Sequence, residues 1–156
     1  MDLFVRLTQK ESDALDRVYK AKKEGDPGLT RELWVVGRLR DVASKNARVF
    51  YSLDMKGPMD IGNGKQMAAG DLRDFPVKES HGDGASPGVV LRISSSLVKG
   101  LEDAAAVVEA VNRLNGLDTS WFTFDEWLRR YVADAILDGR VELAQNEITA
   151  PYVAPP

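Results

Sequence analysis

The chain has 156 residues, of which 44% are hydrophobic and 29% charged, and it contains no cysteine. This is the composition of an ordinary globular domain, which argues against disorder, and the absence of thiols excludes disulfides, cysteine nucleophiles and cysteine-ligated metal sites. The net charge of −3 is unevenly spread, because residues 1–50 hold 11 basic and 8 acidic side chains whereas residues 89–156 hold 6 and 10.

The first segment predicts a short strand and then a helix. Apolar residues at positions 3, 5 and 7 alternate with Phe4 and Arg6, which is the period of a half-buried strand. Thr8-Gln9-Lys10-Glu11 is a capping-box sequence, in which the Thr8 hydroxyl and the Glu11 carboxylate each accept a hydrogen bond from the other residue's backbone N–H. We therefore expect a helix to begin here, and the turn residues at 25–28 to end it.

A second helix is predicted to complete this unit. Thr30 is a candidate N-cap, and the apolar residues from Leu33 to Val42 predict a helix that ends at about Ser44. These residues go most of the way round the helix, which indicates burial on more than one side. Residues 1–46 are therefore expected to form strand, helix, turn and helix.

Residues 47–88 have a different pattern and are predicted to form a β-rich insertion and linker. Strands are expected over 49–55, where apolar and polar residues alternate, and at the edge of a sheet over 71–77. Gly62-Asn63-Gly64 predicts a turn, and residues 80–88 have the composition of a linker. His81 and Asp83 lie in that linker but are too few to form a zinc site, so no metal and no cofactor are predicted.

Residues 89–146 repeat the order of the first unit. Leu91-Arg92-Ile93-Ser94 matches Val5-Arg6-Leu7-Thr8 as apolar, Arg, apolar, hydroxyl, and Leu101-Glu102 follows at the same distance as Leu15-Asp16. One helix is expected to close near Gly116, and another to run from a capping box at Thr123 to Gly139. Residues 147–156 contain three prolines and are expected to be a flexible tail.

Strand, helix, turn and helix, with an Arg on the outward side of the strand, resembles the ribbon-helix-helix fold of the Arc repressor class, here present twice. The resemblance covers roughly residues 2–45 and 88–139 and implies an α+β fold. Its two halves would form an intramolecular pseudo-dimer, with the strands paired antiparallel above four helices and the β-rich insertion between the halves. It does not account for the middle of the chain.

In this family the outer face of the ribbon enters the major groove of DNA. The resemblance implies that Arg6 and Arg92 contact guanine edges and that helix N-termini bind phosphates. The implied DNA-binding residues are Arg6, Arg92, Phe4, Val90, Thr30, Arg31 and Thr123. Phe4, Val90 and Gly88 depart from the family, which usually has polar residues at these positions, although thymine methyl groups would suit Phe4 or Val90.

Two functions of different classes are consistent with these features. The first is a non-enzymatic protein that binds double-stranded DNA, such as a repressor or a mobile-element accessory factor. The second is a phage-type inhibitor or assembly factor that binds a host protein through Phe4, Val90 or the 50–77 region, which the acidic pI and the apolar ribbon residues favour. Both arginines also fit ordinary surface positions, and the tryptophans fit a core.

The cellular setting is an expectation from what the sequence lacks. It has neither a long apolar run nor a signal-peptide pattern, so we expect a cytoplasmic protein that makes no membrane contact. Association into a homodimer is compatible with the sequence.

Overall fold

Four α-helices and two antiparallel two-stranded sheets make up residues 1–149, which the computed structural model describes, with side chains described through residue 146. The elements are β1 (Asp2–Arg6), α1 (Gln9–Lys23), α2 (Arg31–Lys56), β2 (Met59–Gly62), β3 (Lys65–Met67), a 3-10 turn (Ala69–Asp71), β4 (Gly88–Arg92), α3 (Ser95–Leu114) and α4 (Phe124–Thr149). The predicted α+β class is confirmed, as are the ends expected for α1 and α3.

The strands that begin the two predicted units lie side by side. β1 and β4 run antiparallel, with Leu3 opposite Leu91 and Val5 opposite Val89. These four inward side chains are at most 2% exposed. The expected pairing is confirmed, and the alternation of side chains places the other residues of each strand on the outer face. We call this two-stranded sheet the ribbon.

The helices pack beneath the ribbon in pairs that draw one member from each unit. α1 packs against α4 and α2 packs against α3, while β1 contacts α4 and β4 contacts α2. Leu15 and Leu101, which occupy matching positions in the sequence repeat, are both fully buried in the same hydrophobic core. Because each helix pair joins the two units, the core belongs to both of them.

Every helix begins at a hydroxyl N-cap. The caps are Thr8, Thr30, Ser94 and Thr123, and each accepts a hydrogen bond from the backbone N–H three residues further on. A cap of this kind contributes about 1 kcal/mol to helix stability. The capping box of Thr8 and Glu11 is complete. At Thr123 the Glu126 carboxylate pairs instead with Arg130, at 3.1 Å.

α2 is longer than predicted, and the strand expected over residues 49–55 is wrong. The helix continues to Lys56, so the predicted boundary between residues 46 and 47 falls within it. Asn46, whose side-chain amide donates to the Val42 carbonyl at 2.8 Å, interrupts the apolar stripe that would have revealed a continuous helix. The strand-like alternation is accidental, because Tyr51 and Met55 are 66% and 63% exposed.

α4 does not end at Gly139, as predicted, but continues to Thr149. Gly139 is buried, and a Cβ there would lie 2.9 Å from Val18 Cγ1 and 3.2 Å from the Trp34 ring. The glycine therefore allows α4 to lie close to α1 and α2. Residues 147–149 of the predicted flexible tail are helical, and residues 150–156 lie outside the described residues.

Only a small part of the predicted insertion is β structure. β2 and β3 form a hairpin whose turn, Gly62-Asn63-Gly64, was predicted and has positive φ at all three residues. The strand predicted over 71–77 is wrong, since a 3-10 turn ends at Asp71 and residues 72–77 have an irregular backbone. Met67 packs with Leu53 and Val107 in a small second core that attaches the hairpin to α2 and α3.

A buried carboxylate further attaches the insertion to α3. Glu109, only 1% exposed, accepts hydrogen bonds from Arg113 Nε at 3.1 Å and Thr119 Oγ1 at 2.7 Å, and it lies 3.7 Å from Arg73. Arg113 also donates to the Asp71 carbonyl. Burial raises the pKa of Glu109, but the hydrogen bonds from Arg113 and Thr119 and the nearby positive charges outweigh it, so the pKa lies below its ordinary value.

Replacing Gly139 by alanine should lower the free energy of unfolding by about 1–3 kcal/mol, because the new methyl group overpacks the contact with Val18. Gly37→Ala is the matched control. Gly37 is also inside a helix, but a Cβ there meets no atom within 4 Å, so that change should stabilise by roughly 0.5–1 kcal/mol. Urea denaturation of both variants measures the difference, and stabilisation by both changes would contradict the close packing of α4.

Glu109→Gln should lower the free energy of unfolding at neutral pH by about 2–3 kcal/mol, because Arg113 loses its charged partner. The folded-state pKa lies below the ordinary glutamate pKa of 4.5. The advantage of the parent over the variant should therefore be complete above that pH and shrink as the pH falls through the folded-state pKa.

Urea denaturation at neutral and acidic pH tests this dependence, with Glu102→Gln on the same helix as the control. Equal losses in the two variants, or a difference that does not shrink in acid, would contradict the role given to Glu109.

Candidate nucleic-acid interface on the ribbon

The outer face of the ribbon consists of three cross-strand pairs. From one end to the other they are Asp2 with Arg92, Phe4 with Val90, and Arg6 with Gly88. The two arginines therefore lie at diagonally opposite corners, and the apolar pair lies between them. Pairing of the strands thus brings together four of the predicted site residues. They are Phe4 and Arg6 of β1 and, 86 positions later in the sequence, Val90 and Arg92 of β4.

Both ribbon arginines are accessible. The Arg92 side chain is 91% exposed, and its Nε lies 3.8 Å from Asp2 Oδ1. An ion pair this exposed contributes little to stability because water screens it. A nucleic-acid group can therefore replace the Asp2 carboxylate beside Arg92. Arg6 is exposed and forms no ion pair with another described residue. Asp83 lies near it, and hydrogen bonds from the Ser86 and Ala85 backbone N–H groups lower the pKa of Asp83.

Phe4 is half-buried beneath two glycines. A Cβ on Gly82 would lie 2.9 Å from the Phe4 ring, and one on Gly88 would lie 2.6 Å from the ring and 2.5 Å from the Val5 carbonyl oxygen. The lack of a side chain at position 88, a departure from the family pattern, therefore makes room for Phe4. Val90 is 43% exposed and is the more accessible member of the apolar pair.

The predicted linker lies along the free edge of β1. The Ser80 N–H donates to the Asp2 carbonyl at 3.0 Å, and Ser80 Oγ accepts from the Phe4 N–H at 2.8 Å. On the opposite edge of β1, the Leu7 N–H donates to the Pro87 carbonyl at 3.1 Å, which extends the pairing with β4 by one residue. Ser80 was missed from the sequence, because no local pattern shows which strand edge a linker will contact.

The two predicted phosphate sites at helix N-termini have different surroundings. A cavity of about 450 Å³ separates β1 from the start of α4, and Thr123 lies in its wall. At the start of α2, Arg31 Nη2 donates to Ser12 Oγ at 2.9 Å and Nε lies 3.4 Å from Asp16. Arg31 is therefore bound to α1. Thr30 caps α2, but the neighbouring Arg31 is not free to bind a phosphate there.

Arg129 is a cation near the ribbon that sequence reasoning missed. It lines the same cavity as Arg6 and Thr123, with Nη1 3.7 Å from Glu11. Its position depends on which side of α4 faces β1, and this is settled only by the packing of the helices. Carboxylates balance the cations here, since Asp125 and Glu126 line the cavity as well.

No protein-family model, curated protein or solved structure matches the chain. Within residues 1–149, none of the helices has the length and apolar character needed to cross a membrane.

Gly88→Ala should lower the free energy of unfolding by about 2 kcal/mol or more, because the methyl group would overlap the Val5 carbonyl and the Phe4 ring. Gly70→Ala is the control, since no atom lies within 4 Å of a Cβ at that position. Thermal unfolding of the two variants beside the parent measures the effect. An unchanged melting temperature for Gly88→Ala would contradict this packing of the ribbon.

Proposed function

We propose that this protein is a non-enzymatic, double-stranded-DNA-binding protein of tandem ribbon-helix-helix type. The observation that carries the proposal is the antiparallel pairing of β1 with β4, which brings Arg6 and Arg92 to one exposed face. A two-stranded ribbon fits the major groove, and each arginine is suited to donate two hydrogen bonds to a guanine edge. A repressor or a mobile-element accessory factor is the role that follows.

The helix packing supports the proposal of two equivalent halves. Exchanging the first unit with the second turns the α1–α4 contact into the α3–α2 contact, and the β1–α4 contact into the β4–α2 contact. Trp34 and Trp127 each follow their N-cap threonine by four residues, and both are buried. An intramolecular pseudo-dimer accounts for these correspondences.

The surroundings of the ribbon indicate how binding would be divided between bases and phosphates. The N-terminus of α4 lies beside β1 and would bind phosphate, with Arg129 near it once released from Glu11, whereas Arg31 is held by Ser12 and Asp16. Because few cations surround the ribbon, we expect a shallow salt dependence, with a log–log slope of about −1 to −3. Specificity would then depend mainly on the two ribbon arginines.

Arg6→Ala and Arg92→Ala should each weaken DNA binding by roughly tenfold and leave the melting temperature unchanged, because each removes a base contact from an exposed side chain. Arg48→Ala, in the second half of α2, is the matched control. Sites are first selected from a random double-stranded oligonucleotide pool at low salt, and fluorescence anisotropy then gives the affinities. If both ribbon variants bind like Arg48→Ala, the ribbon does not read DNA.

A second candidate function, binding of a host protein as an inhibitor or assembly factor, is favoured by the apolar pair at the centre of the outer face. Val90 is exposed there, and the charges around it are balanced, which suits a protein surface better than a phosphate backbone. Failure to select any DNA, together with a stoichiometric protein partner that is lost on Val90→Glu, would support this function over the first.

A further inference from the structure

A second cavity, of about 550 Å³, lies between the last turns of α2 and the first half of α3. Residues 69–75 close its third side, and none of its lining residues belongs to the ribbon. We call it the α2–α3 groove. Its walls from α2 and from residues 69–75 fall in the part of the chain that the ribbon-helix-helix resemblance does not cover, whereas its α3 wall belongs to the second unit.

The floor of the groove is apolar and includes aromatic rings. Phe50, Leu53, Leu72 and Phe75 line it, and the exposed Tyr51 stands at its rim. Met55, also exposed, follows Tyr51 by one helical turn. Large apolar side chains exposed side by side at the edge of a cavity are typical of a surface that binds a partner.

The walls of the groove carry an excess of negative charge. Its two cations are already paired, because Lys99 Nζ lies 2.8 Å from Asp103 and Arg73 lies 3.7 Å from Glu109. The remaining charged residues that line the groove all carry carboxylates: they are Asp54, Asp74 and Glu102. None of these three carboxylates accepts a hydrogen bond from, or forms an ion pair with, another described residue.

The negative charge of two of the three free carboxylates, those of Glu102 and Asp74, also acts on Lys99. The pKa of Lys99 is raised first by its hydrogen bond to Asp103 and by the charge of Asp103, and then by the charges of Glu102 and Asp74. All three free carboxylates line the same cavity as Lys99. A cation that enters this space from a ligand would meet the same field.

We propose that the α2–α3 groove binds a basic, amphipathic peptide segment of a partner protein. An aliphatic or aromatic side chain of the peptide would enter the apolar floor, and flanking lysines or arginines would pair with Asp54, Asp74 and Glu102. Nucleic acid would be repelled by these carboxylates, so this partner differs from the ligand of the ribbon. Residues 147–156 contain one acidic and no basic residue, and they do not provide such a segment.

The proposal can be tested with the full chain as bait for a displayed library of random peptides about ten residues long, enough to cross the groove in extended form. Enriched peptides should carry net positive charge and at least one large apolar residue. The best peptide, synthesised with a fluorescent label, should lose affinity by roughly tenfold or more for Tyr51→Ala and for the triple variant Asp54→Asn, Asp74→Asn, Glu102→Gln.

A second triple variant, Asp26→Asn, Asp41→Asn, Asp138→Asn, makes the same change in net charge at exposed positions outside the groove and should keep the parent affinity. Melting temperatures verify that each variant is folded. Enrichment of no peptide, enrichment without excess lysine or arginine, or equal losses in the two triple variants would overturn the proposal.

The ribbon variants separate this inference from the proposed DNA binding. Arg6→Ala and Arg92→Ala should leave peptide affinity unchanged, and the groove triple variant should leave DNA affinity unchanged. Loss of peptide binding in the arginine variants would overturn the assignment of a separate site.

Discussion

The antiparallel pairing of β1 with β4 is the interaction on which the rest of the structure depends. It directs Leu3, Val5, Val89 and Leu91 into the core and, by the same alternation, sets which residues are displayed. A shift of one residue would exchange the two faces, so the cost of exposing these four side chains holds the register. Gly88 contributes to the same constraint, because the Phe4 ring occupies the space that a side chain would need.

The outer face of the ribbon and the α2–α3 groove differ in charge. Exposed arginines flank an apolar centre on the ribbon, whereas the α2–α3 groove combines an aromatic floor with carboxylates that have no cationic partner. We propose a polyanion as the ligand of the first surface and a basic peptide as the ligand of the second. The two surfaces share no residue.

The ends of α2 and α4 were predicted wrongly because tertiary contacts outweigh the local sequence signal for a helix end. Gly139 has the appearance of a helix end, yet it is the point at which α4 lies against Val18 and Trp34. Asn46 interrupts an apolar stripe, but its amide bonds to the helix backbone at Val42 and the helix continues. In both cases a residue unfavourable to a helix by itself is tolerated because the contacts around it stabilise the longer helix.

The sequence by itself determined the strands that form the ribbon, the starts of α1, α2 and α4 and the outward position of both arginines. These features depend on caps and alternation within a few residues, which are readable along the chain. Only the tertiary structure decided how far α2 and α4 run, that Arg31 is bound to α1, that Arg129 lies beside β1, and that the α2–α3 groove exists. Each of these depends on contacts between residues distant in sequence, and their energies come from packing partners that no local pattern identifies.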